Sequence, residues 1–98
     1  MNKVVLQLWE DYERGKGIRP SGCSIHINSE ERDKYISQIY KDRSIDNIPY
    51  EYENTLGEEI VAFVDDQLYK IVEKEKNVRL SENQFNNLVL MEELIIKD

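Results

Sequence analysis

A small α+β domain is the fold class this sequence predicts: three strands in one mainly antiparallel sheet, packed by three helices. Three observations carry the prediction. Two stretches alternate apolar and polar residues with the two-residue period of strands. A third is a short, continuous, β-branched apolar run. Between and after them lie segments that open on the paired capping residues of helices.

From Lys3 to Trp9, Val4, Leu6 and Leu8 fall on one face while Val5, Gln7 and Trp9 fall on the other, which predicts the first strand at residues 3 to 9. Glu10 to Gly22 breaks this period with Gly15, Gly17, Pro20 and Gly22 and reads as a long connection. Alternation resumes from Cys23 to Ile27, turning Cys23, Ile25 and Ile27 inward and Ser24 and His26 the other way. This second strand, residues 23 to 27, pairs antiparallel with the first.

Asn28 and Glu31 have capping-box spacing, and Tyr35, Ile36, Ile39 and Tyr40 share a stripe behind them, so the first helix is placed at residues 29 to 43. Ser44 to Glu59 is a second long connection. Ile60 to Val64 is apolar without interruption, as a central strand covered on both faces would be. Asp65 or Asp66 ends it and caps a helix over residues 66 to 76, with Leu68, Tyr69, Ile71 and Val72 inward. Ser81 and Gln84 form a second capping box, with Leu80 and Phe85 placed as a hydrophobic staple. The helix behind it, residues 82 to 95, is apolar at nearly every angle. That favours a homodimer through Leu90, Leu94 and Ile95; the alternative is that Leu94 to Lys97 leaves as a fourth strand.

Ninety-eight residues make one domain, residues 1 to 98, with enough chain for a core that needs no covalent staple. One cysteine cannot form an internal disulfide, and no apolar run approaches the ~18 residues of a membrane span, so a reducing, cytoplasmic setting is expected. Thirteen Lys and Arg against twenty Asp and Glu leave a net charge of −7, which opposes direct nucleic-acid binding and favours a cationic partner.

Catalytic and metal chemistry find little footing. Cys23 and His26 lie three apart on a strand and face opposite sides, so they form no nucleophile and base pair. One Cys and one His exclude a zinc motif, and no calcium-loop spacing appears, so no metal, cofactor or enzymatic activity is predicted.

Binding has two candidate surfaces. Arg14, Lys16 and Arg19 stand among three glycines in an otherwise acidic chain, where free backbone amides and charged side chains suit a phosphate. Trp9, Ser24 and His26 fall on one side of the adjoining strands. Together with the three cations they make a candidate site for a nucleotide-type ligand, with the ring stacking on a base. The competing interpretation packs Trp9 and His26 beneath a helix. The second surface is acidic: Glu10, Asp11 and Glu13, then Glu51 and Glu53, then Glu58 and Glu59 are clusters that would imitate a phosphate backbone before a basic groove.

The run from Leu8 to His26, Leu-Trp-Glu through Arg19-Pro20-x-Gly22-x-Ser24-x-His26, resembles the start of a group of small proteins encoded by bacteriophages and other mobile elements. The likeness covers about a fifth of the chain and lacks the second tryptophan of that pattern near Gly15 to Gly17, where Lys16 stands. What it implies is a mobile-element origin. Such accessory proteins often counter bacterial defence, which gives the leading expectation: an inhibitor that covers a nucleic-acid-binding surface on a bacterial host protein or complex. A nucleotide or phosphate sponge is the alternative.

Overall fold

The computed structural model describes residues 1–13, 17–41 and 52–96. Their order is β1 (Asn2–Glu13), β2 (Gly17–His26), α1 (Ser29–Lys41), β3 (Tyr52–Val64), α2 (Asp66–Glu75), β4 (Asn77–Leu80), α3 (Glu82–Leu90) and β5 (Leu94–Ile96). The fold is α+β with three helices and an antiparallel sheet, but the sheet has five strands where three were expected, in the order β4-β2-β1-β3-β5.

β1 is the central strand. It pairs with β2 through Leu6 opposite Ile25 and Leu8 opposite Cys23, and with β3 through Val4 opposite Ala62 and Leu6 opposite Ile60. Both neighbours run antiparallel to β1 and therefore parallel to each other, so the connection through α1 must cross over the middle of the sheet. β4 and β5 pair antiparallel with β2 and β3 and close the two edges.

The alternation in β1 and β2 produces two buried faces. On one, Val4, Leu6, Cys23, Ile25, Ala62, Val64, Leu80 and Leu94 meet Val72 of α2, with Leu68, Tyr69, Phe85 and Leu88 packed around them. On the other, α1 covers Gln7, Trp9, Ser24 and His26. Helices thus lie on both sides of the sheet, and each face keeps its own chemistry: apolar under α2 and α3, polar under α1.

Several expectations are corrected. The stretch Glu10 to Gly22 is not a free connection; β1 and β2 extend as a hairpin through Glu13 and from Gly17, with a bulge between Trp9 and Glu10. β3 likewise begins at Tyr52, not Ile60. It is interior to the sheet but covered on one face only, since Val61 is exposed and Phe63 half-buried. The last helix ends at Leu90, and Leu94 enters the core as part of β5 instead of facing a second chain.

Both helix ends that sequence reading overran stop at a non-glycine residue of positive φ. After α3, Glu92 turns into the left-handed region at φ 58°, while the Glu93 amide donates to the Leu88 carbonyl and the Glu92 amide to Val89, the paired bonds of a Schellman stop. After α2, Lys76 ends the helix differently: it also takes a positive φ, 68°, but at ψ −37°, with its amide still donating to the Val72 carbonyl. Neither position is glycine, so neither stop is announced in the sequence.

The helix starts follow expectation. The Asn28 side chain accepts from the Glu31 amide at 2.9 Å, Asp65 accepts from Leu68 at 2.8 Å, and Ser81 and Gln84 complete a reciprocal capping box.

Candidate functional site

The polar face of the β1–β2 pair carries a continuous hydrogen-bonded chain. Trp9 Nε1 donates to Ser24 Oγ at 2.7 Å, Ser24 Oγ lies 2.6 Å from His26 Nε2, and His26 Nδ1 lies 2.5 Å from Asn77 Oδ1. An amide oxygen only accepts, so Nδ1 carries the proton and Nε2 accepts from the Ser24 hydroxyl. The indole N–H, the serine hydroxyl and both ring nitrogens then have partners, and in this tautomer the imidazole is neutral.

Burial and Asn77 act in opposite directions on that ring. Burial lowers the His26 pKa and is the larger effect; the bond to Asn77 raises it, the Arg32 guanidinium lowers it, and Glu59 and Glu31 raise it. The tilted ring of Tyr35 from α1 closes the network from above, with its centroid 5.1 Å from that of His26 and 6.2 Å from that of Trp9. From β4, the Arg79 guanidinium sits 4.8 Å from the Trp9 ring centroid.

α1 is pinned at this point by charge. Arg32 Nε donates to Gln7 Oε1 at 2.9 Å, and its Nη1 reaches Glu59 at 3.1 Å and Asp33 at 2.9 Å. Glu59, one of the predicted partner-binding acids, is therefore engaged within the chain.

Ser24, His26 and Asn77 have the connectivity of a nucleophile, its base and an orienting group. The setting is that of a structural network. Ser24 and His26 are fully buried, and the serine oxygen already accepts the Trp9 N–H. The competing prediction that Trp9 and His26 pack beneath a helix thus describes their placement, with a serine and an asparagine as the imidazole's partners. Trp9, Ser24 and His26 are brought together as the sequence suggested, but on a face that α1 covers.

An accessible groove of about 320 Å³ lies on the hairpin beside the first turn of α3. Leu8, Pro20 and Phe85 give it apolar walls, Trp9 borders it, and Glu10, Arg19, Glu82 and Asn86 supply the polar groups. Its back is set by Gly22, whose α-carbon lies so near the β4–α3 junction that an added Cβ would stand 2.2 Å from the Leu80 carbonyl oxygen. Of the predicted ligand residues, Trp9 and Arg19 reach this groove; Arg14 and Lys16 lie outside the described residues. Of the predicted partner residues, Glu10 lines it. Glu51 and the side chains of Asp11, Glu13, Glu53 and Glu58 lie outside the described residues.

Sequence reading missed Gln7, Tyr35, Asn77 and Arg79 as parts of the buried network, and Glu82, Phe85 and Asn86 as walls of the groove. Gln7 and Tyr35 carried a usable signal, Gln7 as a polar residue on the Trp9 face of the first strand and Tyr35 on the apolar stripe of the first helix. The others come from helices and from a strand that only the tertiary fold brings near.

Among the described residues no three His, Cys, Asp or Glu side chains converge as metal ligands, and no helix is long and apolar enough to cross a membrane. No family model matches this chain, and no curated protein or solved structure is significantly similar to it.

Proposed function

We propose that this chain is a binding protein of bacteriophage or mobile-element origin, acting in the host cytoplasm as a counter-defence inhibitor. Its acidic surface covers a basic, nucleic-acid-binding face of a host protein complex. One observation carries the proposal. The accessible groove sets two carboxylates against one guanidinium, while the only serine–histidine pair in the described fold is buried and internally satisfied. Together with a net charge of −7, this supports recognition of a cationic protein surface over chemistry on a substrate.

Affinity capture from a bacterial lysate tests it. A captured complex should dissociate between low and high salt, because exposed charge pairs are screened within about 10 Å at 0.1 M ionic strength. The complex should also lose its nucleic acid when the protein is added. Capture of a complex that keeps its nucleic acid would overturn the inhibitor reading.

A second reading rests on Arg19, which lines the apolar groove with Phe85: a nucleotide-type ligand held there by contact with that ring and a charge-assisted bond. Thermal stabilisation by nucleotides, lost in Arg19→Ala, would favour it. A homodimer is likewise a proposal. It would use Leu90, Met91 and Ile95, which are exposed, and sedimentation tests it.

A further inference from the structure

The geometry points to the groove between the β1–β2 hairpin and α3 as an anchor site for one large apolar side chain of a partner segment, flanked by Lys or Arg. This rests on the reading that the chain binds a cationic protein surface, and it names where and how. Three features of the site converge on that occupant.

The first is size. A volume of about 320 Å³ is at the lower end of the ~300–1,000 Å³ typical of ligand pockets, room for a single aromatic or long aliphatic group. The second is the lining. Leu8, Pro20 and Phe85 offer apolar contact, so an inserted side chain loses water on several sides, which is how aromatic anchors work at protein interfaces. The third is charge. Glu10 and Glu82 outnumber Arg19, which favours a cation beside the anchor and disfavours a phosphate.

The site is also preformed. Gly22 lets the Leu80–Glu82 backbone lie directly against β2, and the Ser81–Gln84 box fixes the first turn of α3, so its walls need no ordering on binding.

Three short fluorescent peptides test this on the full chain: a Lys/Arg-rich peptide with one central tryptophan, the same peptide with alanine in its place, and the tryptophan peptide with every cation replaced by glutamate. The tryptophan-containing basic peptide should bind about tenfold or more tighter than either control. Its amide shift perturbations should centre on Leu8, Glu10, Glu82 and Phe85. Glu10→Gln with Glu82→Gln, and separately Asn86→Trp to fill the groove, should each weaken it by about tenfold. Circular dichroism confirms that the variants are folded, and shift mapping on the unaltered chain is independent of them.

Equal binding of both basic peptides would overturn the anchor while leaving the acidic-surface reading in place. Equal or tighter binding of the glutamate peptide would overturn both. No binding by any of the three would overturn the anchor.

Discussion

Ser24 Oγ lies 2.6 Å from Nε2 of His26, two residues further along the same strand, and both side chains are wholly buried. The two-residue period of β2 is what puts them on one face, and the regular register from Val5 opposite His26 to Trp9 opposite Gly22 sets that indole on the same face, diagonal to the serine. The network is a polar core on which α1 docks: Tyr35 packs against His26 and Arg32 bonds Gln7 and Glu59 at this point of the sheet.

Ser24→Ala should therefore cost more than its small volume suggests. It leaves the Trp9 N–H and His26 Nε2 without partners in a buried site, for a loss of about 2–3 kcal/mol of unfolding free energy. Urea denaturation measures it. A loss no larger than that of an exposed Ser→Ala would show that the network contributes nothing.

Stability should fall on acidification through His26. Its folded pKa lies below the unfolded value of ~6.5, so the unfolded chain binds the extra proton. The His26 contribution is complete above that value and is lost progressively as pH falls below it toward the folded pKa. Unfolding free energies at pH 8, 6 and 5 check this. His26→Gln should flatten the part of the slope between pH 7 and 5, leaving the carboxylates to dominate below.

The sequence made legible those elements whose signals are local. Alternation from Val4 to Trp9 and from Cys23 to Ile27 placed the paired strands, and Asn28, Asp65 and Ser81 placed the three helix starts. It concealed what long-range pairing decides. Glu10 to Glu13 and Gly17 to Gly22 carry weak strand signals and are strand only because β1 and β2 continue their ladder. β4, at Asn77–Leu80, alternates over too few residues to register without β2 beside it. The groove was half legible: Trp9, Glu10 and Arg19 lie on the hairpin already singled out, whereas Glu82 and Phe85 reach it only through the packing of α3.

Gly22→Ala should be among the most damaging single changes outside the apolar core. Gly22 has φ +104°, a conformation L side chains rarely adopt, and the new methyl would stand 2.2 Å from the Leu80 carbonyl oxygen and 3.0 Å from the Ser81 carbonyl carbon. Those are backbone atoms, so relief requires moving β4 and α3 off β2. We expect a loss above about 3 kcal/mol, measured by denaturant unfolding. Gly17→Ala has open space around it and should show strain alone, a cost of about 1 kcal/mol.

Cys23 should resist thiol reagents in the native state. Burial pushes its pKa up to about 12, against a smaller downward pull from Arg79, so the thiolate needed for attack is scarce at pH 8 and has no solvent path. Labelling with a chromogenic disulfide should proceed only as the chain opens, and should become fast in denaturant. Rapid native labelling would show that the β2 core is accessible.

Replacing the residues that stop the helices should raise stability. Glu92 holds φ 58° and Lys76 φ 68°, where a Cβ crowds the backbone at a cost of about 1–2 kcal/mol that glycine avoids. Part of that gain is returned, because glycine has more freedom to lose on folding. Glu92→Gly should therefore stabilise the chain by about 0.5–1 kcal/mol, read as a rise of several degrees in Tm for a domain of this size. Glu92 is exposed, which leaves backbone geometry as the main source of the change. Glu92→Ala separates the two causes: it removes the charge and keeps the Cβ, so it should leave Tm nearly unchanged. An equal rise in both variants would place the gain in charge, not in the turn.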